Sequence, residues 1–94
     1  MGIERLNIVR AVAGRDQGKL FIVTAVEGEY LWLVDGKGRK TETPKRKKCK
    51  HVQLVAAGDD RLFEKIKNNA KLTNSEIRRV LAVYREEIYP DQEG

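Results

Sequence analysis

The chain has little of what specialised chemistry usually requires. A single cysteine, Cys49, rules out an internal disulfide framework and points to a reducing compartment. One cysteine and one histidine, His51, cannot build a structural zinc site without recruiting several carboxylates. No run approaches the roughly 18 apolar residues that a membrane-crossing helix needs. Met1 to Arg10 lacks both the charged start and the apolar block of a signal peptide. Leu6 stands where a myristoylation signal needs Ser or Thr. These absences lead us to expect a cytoplasmic protein without cofactor, metal or membrane partner. At 94 residues the chain suits one small domain, or one with an appendage. A domain of that size buries about 60–65% of its unfolded surface, so the core is expected to be thin.

What is present is positive charge, and it is unevenly placed. The net charge is +5. Residues 1–55 carry 12 basic and 6 acidic side chains, whereas residues 56–94 carry 7 and 8. From Lys37 to His51 there are eight cations (Lys37, Arg39, Lys40, Lys45, Arg46, Lys47, Lys48 and Lys50) opposed only by Glu42. That segment is +7, so the rest of the chain sums to −2. It is bounded by Leu33-Val34 and Val52-Gln53-Leu54-Val55, which argues against a floppy tail. Like charges at this density repel one another, and a polyanion relieves the repulsion.

The apolar pattern divides the chain at about residue 57. Leu6 to Val12, Lys19 to Val26 and Tyr30 to Val34 are β-branched or aromatic runs too short for helices. Gly14-Arg15-Asp16-Gln17-Gly18 and Glu27-Gly28-Glu29 supply turns, and Asp35-Gly36 is a hairpin signal. Weaker strands are expected around Arg39 to Thr43 and His51 to Val55, with Pro44 at a strand end or edge. About five short strands joined by glycine-containing turns predict a small antiparallel β-barrel. From Gly58 onward the period becomes helical. Asp59 or Asp60 caps a helix with Leu62, Phe63 and Ile66 on its apolar face, fraying at Asn68-Asn69. Thr73 and Glu76 have capping-box spacing, with Leu72 and Ile77 placed as a hydrophobic staple. Ile77, Val80, Leu81, Tyr84 and Ile88 form one stripe, ending before Pro90. The expected division is a barrel over 1–57 and two helices over 58–94, packed on the barrel through Leu62, Ile66, Ile77, Leu81 and Tyr84.

Candidate sites reduce to the cations. Gly14 to Lys19 is not a P-loop: three residues separate its glycines, Leu20 follows the lysine, and a strand follows that. Arg15 and Lys19 nevertheless project from a tight turn, where they can grip a phosphate with little entropy loss. His51 has no recognisable nucleophile or orienting carboxylate, and Cys49 among lysines reads as a plain thiol, so no enzyme is expected. Tyr30 and Trp32 alternate with Leu31 and Leu33. One pair faces the core and the other faces out, where Tyr30 and Trp32 would be able to stack on bases. Two helices with Arg78 and Arg79 invite a helix-turn-helix reading, but the segment is net acidic and has no third helix.

In order and spacing, Ala13-Gly14-Arg15-Asp16-x-Gly18-Lys19, Phe21-Ile22-Val23, Leu33-Val34-Asp35-Gly36 and Lys50-His51-Val52-Gln53-Leu54 resemble the KOW-motif RNA-binding proteins. That family includes the fourteenth large-subunit ribosomal protein of archaea and eukaryotes and its short bacterial relatives. The resemblance covers about residues 4–55, and Lys71 to Arg78 is similar to the tail of the bacterial relatives. It implies an SH3-like barrel that binds ribosomal or other structured RNA; with the two C-terminal helices added, the expected protein is a monomer. It places the RNA contacts on Arg15, Lys19 and the run from Lys45 to Lys50. The whole expected contact set is Arg15, Lys19, Lys37, Arg39, Lys40, Lys45, Arg46, Lys47, Lys48, Lys50 and His51. The basic run is lysine-rich where ribosomal members are arginine-rich, and the long tails of eukaryotic members are missing. The runner-up reading is a protein-interaction adaptor whose lysines only keep it soluble.

Overall fold

The computed structural model describes residues 2–58, 60–68 and 71–88. Five strands precede two helices: β1 (Ile8–Ala11), β2 (Leu20–Glu27), β3 (Tyr30–Val34), β4 (Lys45–Lys48), β5 (Val52–Ala56), α1 (Asp60–Lys67) and α2 (Asn74–Ile88). A short 3-10 turn, Cys49–His51, links β4 to β5. All pairings are antiparallel, in the order β4-β3-β2-β1-β5. The two edge strands, β4 and β5, share no ladder, so the sheet is open and the closed barrel expected from the strand pattern is not shown by the pairing.

Three strands lie where the apolar runs predict them, and their burial explains the composition. Leu20 and Ile22 of β2 join Leu6, Ile8, Val34, Leu62, Ile77, Val80 and Leu81 on the face under the helices. Phe21 and Val23 join Val9, Ala11, Leu31, Leu33 and Val52 on the opposite face. The first half of β2 is therefore covered on both sides, which is why it reads as a continuous apolar run and not as an alternation. Each such side chain removed from water contributes about 1.5–3 kcal/mol. Because four of the nine residues in the first cluster come from α1 and α2, the helices complete the core. Leu72 and Tyr84 pack against the same cluster, and the Tyr84 hydroxyl donates to the Gly58 carbonyl at 3.0 Å.

The fourth strand departs from the expectation. Arg39 to Thr43 is bend and turn, and β4 is the basic run itself. A strand of four cations has no apolar alternation to reveal it. Its position at the sheet edge explains why it tolerates that composition, since edge lysines discourage pairing with other chains. Pro44 stands immediately before this edge. His51 does not begin β5 but ends the 3-10 turn. Leu6, expected within the first strand, has φ of 74° and precedes it. Buried Asn7 ties that corner down, accepting from the Glu4 N–H at 2.7 Å and donating to the Ala57 carbonyl at 2.6 Å.

The capping box forms as its spacing predicts. Glu76 N–H donates to Thr73 Oγ1 at 3.2 Å, and Thr73 N–H donates to Glu76 Oε1 at 3.1 Å. Lys65 of α1 also reaches Glu76, at 2.7 Å, joining the two helices. Asp59, Asn69 and Pro90, and the side chain of Ile88, lie outside the described residues. Among the described residues no helix is long and apolar enough to cross a membrane.

Candidate nucleic-acid interface

Strand geometry sorts the four β4 cations into two sets. Lys45 pairs with Leu33 and Lys47 with Leu31, so both project on the face of the second core cluster. There they meet the β1–β2 turn. Lys45 Nζ binds the Asp16 carboxylate, and Lys47 Nζ lies 3.3 Å from where a Cβ on Gly14 would sit. Gly14 also has φ of 83°, which favours glycine. The hydrogen bond from Lys45 holds the Asp16 carboxyl below its ordinary value of 3.8, against a smaller upward push from burial. Lys19 is 3.6 Å from the same carboxylate and remains exposed. Lys45 and Lys47 thus link the open edge of the sheet to the 14–18 turn.

Arg46 and Lys48 point the other way. Arg46 pairs with Trp32 and Lys48 with Tyr30, so four side chains share one face. The Arg46 guanidinium stands 4.4 Å from the Tyr30 ring centroid, and Lys48 Nζ stands 5.9 Å from it. Both are cation–π distances. Tyr30 and Trp32 are the outward pair and Leu31 and Leu33 the buried pair, which resolves the alternative left open by their alternation.

The 35–44 loop holds the next group of cations, and α2 organises it. Asp35 is not the first residue of a two-residue hairpin; its carboxylate accepts from the N–H groups of Lys37 at 2.9 Å and Arg39 at 2.8 Å. Such side-chain capping of its own loop is typical of Asp in turns. Asn74 accepts from Thr41 N–H at 2.8 Å and donates to Glu42 at 3.2 Å. Arg78 donates to the Gly36 carbonyl at 2.6 Å. The Glu42 carboxyl is held below its ordinary value by its own backbone N–H first and the Asn74 amide second. With its acidic neighbour tied to α2, the loop presents Lys37, Arg39 and Lys40 exposed.

The two loops meet at a depression of about 490 Å³ lined by Gly18, Lys19, Leu20, Asp35, Lys37, Gly38 and Arg85. Lys19 and Lys37, 18 positions apart in the chain, converge there with a third cation from α2. Arg85 was absent from the sequence expectation. Its signal was available, since Arg78 and Arg85 are seven residues apart and share a helix face, but the sequence did not say what that face met.

The remaining expected residues are more scattered. Arg15 is exposed on the β1–β2 turn and Lys50 on the 3-10 turn. His51 is half-buried, and its carbonyl accepts from Val12 N–H at 2.9 Å. Cys49 packs against the second core cluster. Among the described residues no three His, Cys, Asp or Glu side chains stand together as a metal site. No protein-family model matches the chain, and no curated protein matches it.

Proposed function

We propose that the protein is a non-catalytic RNA-binding module of the KOW type, associated with ribosomal or other structured RNA. The observation that carries this reading is the convergence of Lys19 and Lys37, from separate loops, on one depression with Arg85. A cleft lined by three cations and one carboxylate, whose oxygen already accepts two backbone N–H groups, suits a phosphate. Arg46 and Lys48 add two cations on the β3–β4 face, and Arg15, Arg39, Lys40 and Lys50 are exposed elsewhere on the surface. On this reading the open sheet is an SH3-like barrel, with Lys45 and Lys47 holding the β4 edge against the β1–β2 turn. Positioning by phosphates, with RNA shape setting specificity, accounts for a surface of cations with few base-reading groups. The chain acts in the cytoplasm as a monomer and needs no cofactor.

The test is binding to folded ribosomal RNA fragments, together with co-sedimentation with ribosomes. Replacing Lys19, Lys37 and Arg85 by Glu is expected to abolish both. Replacing Lys67, Lys71 and Arg79, which do not line the depression, makes the same change in net charge and is expected to cost far less. Equal losses from the two triples would reduce the interaction to bulk charge. No RNA binding by the unaltered protein would favour the adaptor reading.

A further inference from the structure

The face carrying Tyr30 and Trp32 is a continuation of the face that the helices cover. Tyr30, Trp32 and Val34 alternate along β3; Val34 is fully buried under α1 and α2, whereas Tyr30 and Trp32 are only half-buried. On the β2 side, the register shifts between Val23 and Ala25, so Ala25 stands opposite Trp32 and Glu27 opposite Tyr30. Ala25 is exposed and has no side chain beyond Cβ to lie over the indole. On the β4 side stand Arg46 and Lys48. Strand pairing thus brings together two aromatic rings, one small neighbour, two cations and one acid. The Trp32 backbone is fixed by the ladder and by Thr24 Oγ1, which donates to its carbonyl at 3.2 Å.

We propose that this platform stacks an unpaired RNA base on Trp32, with Arg46 and Lys48 holding the adjoining phosphates. The inference rests on the RNA-binding reading and deepens it, adding recognition of single-stranded nucleotides to phosphate positioning. An aromatic ring flanked by cations is complementary to a nucleotide in both its parts, the π-face of the base and the charge of the backbone. A base within a duplex is already stacked on both faces, so the platform discriminates between loops and helices of a folded RNA. Stacking is tolerant of sequence, because every base has a π-face. Arg46, already over Tyr30 at 4.4 Å, lends the platform a preset orientation.

Trp32 is the sole tryptophan, so its emission reports on this face alone. The full chain is titrated with an unstructured single-stranded RNA dodecamer and, separately, with a duplex of equal length. Retained RNA is measured in parallel by filter binding. The expected result is quenching of Trp32 emission by the single strand and little quenching by the duplex. Trp32→Phe is expected to keep most of the single-strand affinity. Trp32→Leu, which preserves a bulky strand residue, is expected to lose roughly tenfold, about the contribution of one stacked base. Binding of RNA without quenching, or equal affinity of Trp32→Leu and the unaltered protein, overturns the stacking and leaves the RNA reading in place. Retention of neither probe, nor of folded ribosomal RNA, overturns both.

Discussion

Two regions share the basic run and are organised by different means. In β4, ladder pairing with β3 dictates which way each cation points: Lys45 and Lys47 toward the β1–β2 turn, Arg46 and Lys48 toward the aromatic pair. In the 35–44 loop no ladder exists, and the cations are set by Asp35 and by three hydrogen bonds to Asn74 and Arg78 of α2. The contrast teaches that eight cations in fifteen residues are not eight equivalent contacts. Some hold the fold together, some are held out to solvent, and a slightly acidic helical tail helps to position part of a cationic surface.

The sharpest way to break this comparison is to reverse Arg46 and Lys48. Both are on the uncovered face, so Arg46→Glu with Lys48→Glu is expected to leave the melting temperature nearly unchanged while RNA affinity falls. At about 1.5 kcal/mol for each charge-assisted contact, the loss is roughly a hundredfold. Filter binding and thermal denaturation on the same samples check both halves. An unfolded double variant would mean that the outward pair is structural after all.

Next in size is the join between loop and helix. Gly36 has φ of 78°, and a Cβ there would lie 2.5 Å from the Asn74 carbonyl oxygen and 2.9 Å from Arg78 Cγ. Gly36→Ala combines a strained conformation with a backbone clash, and is expected to cost on the order of 1–3 kcal/mol in urea denaturation. It is also expected to weaken RNA binding, because Lys37, Arg39 and Lys40 lose their support. Stability lost with affinity retained would separate the loop from the interface.

The smallest effect concerns the inward set. Asp16 and Lys45 retain 17% and 24% of their side-chain exposure, so solvent screens their pairing. Asp16→Asn is therefore expected to cost below about 1 kcal/mol. The pairing carries a pH signature. Because the folded carboxyl lies below its ordinary value of 3.8, its contribution is present above that value and lost as pH falls through the lower, folded one. The stability difference between Asp16→Asn and the unaltered protein is expected to shrink in that acid range. A difference that stays constant down to pH 2 would contradict the role assigned to Asp16.

Much of this architecture was legible in sequence where the controlling interactions are local. Thr73 with Glu76 and Leu72 with Ile77 specify a helix start within six residues. The β-branched runs of β1 to β3 report burial directly. The misses lie where long-range pairing decides. Lys45 to Lys48 is a strand only because β3 offers it an edge, and no feature of four consecutive cations announces that. The helix face of Arg78 and Arg85 was readable, whereas its meeting with the 35–38 turn depends on the packing of α2 over the sheet. At the site, the charge run itself was visible at once; its division into two sets required the register.

The central claim is that the cationic surface engages RNA phosphates, and salt dependence tests it most directly. Affinity for a folded ribosomal RNA fragment, measured from 50 to 200 mM salt, is expected to fall by roughly three orders of magnitude if about six phosphates are neutralised. An affinity unchanged over that range would contradict the account.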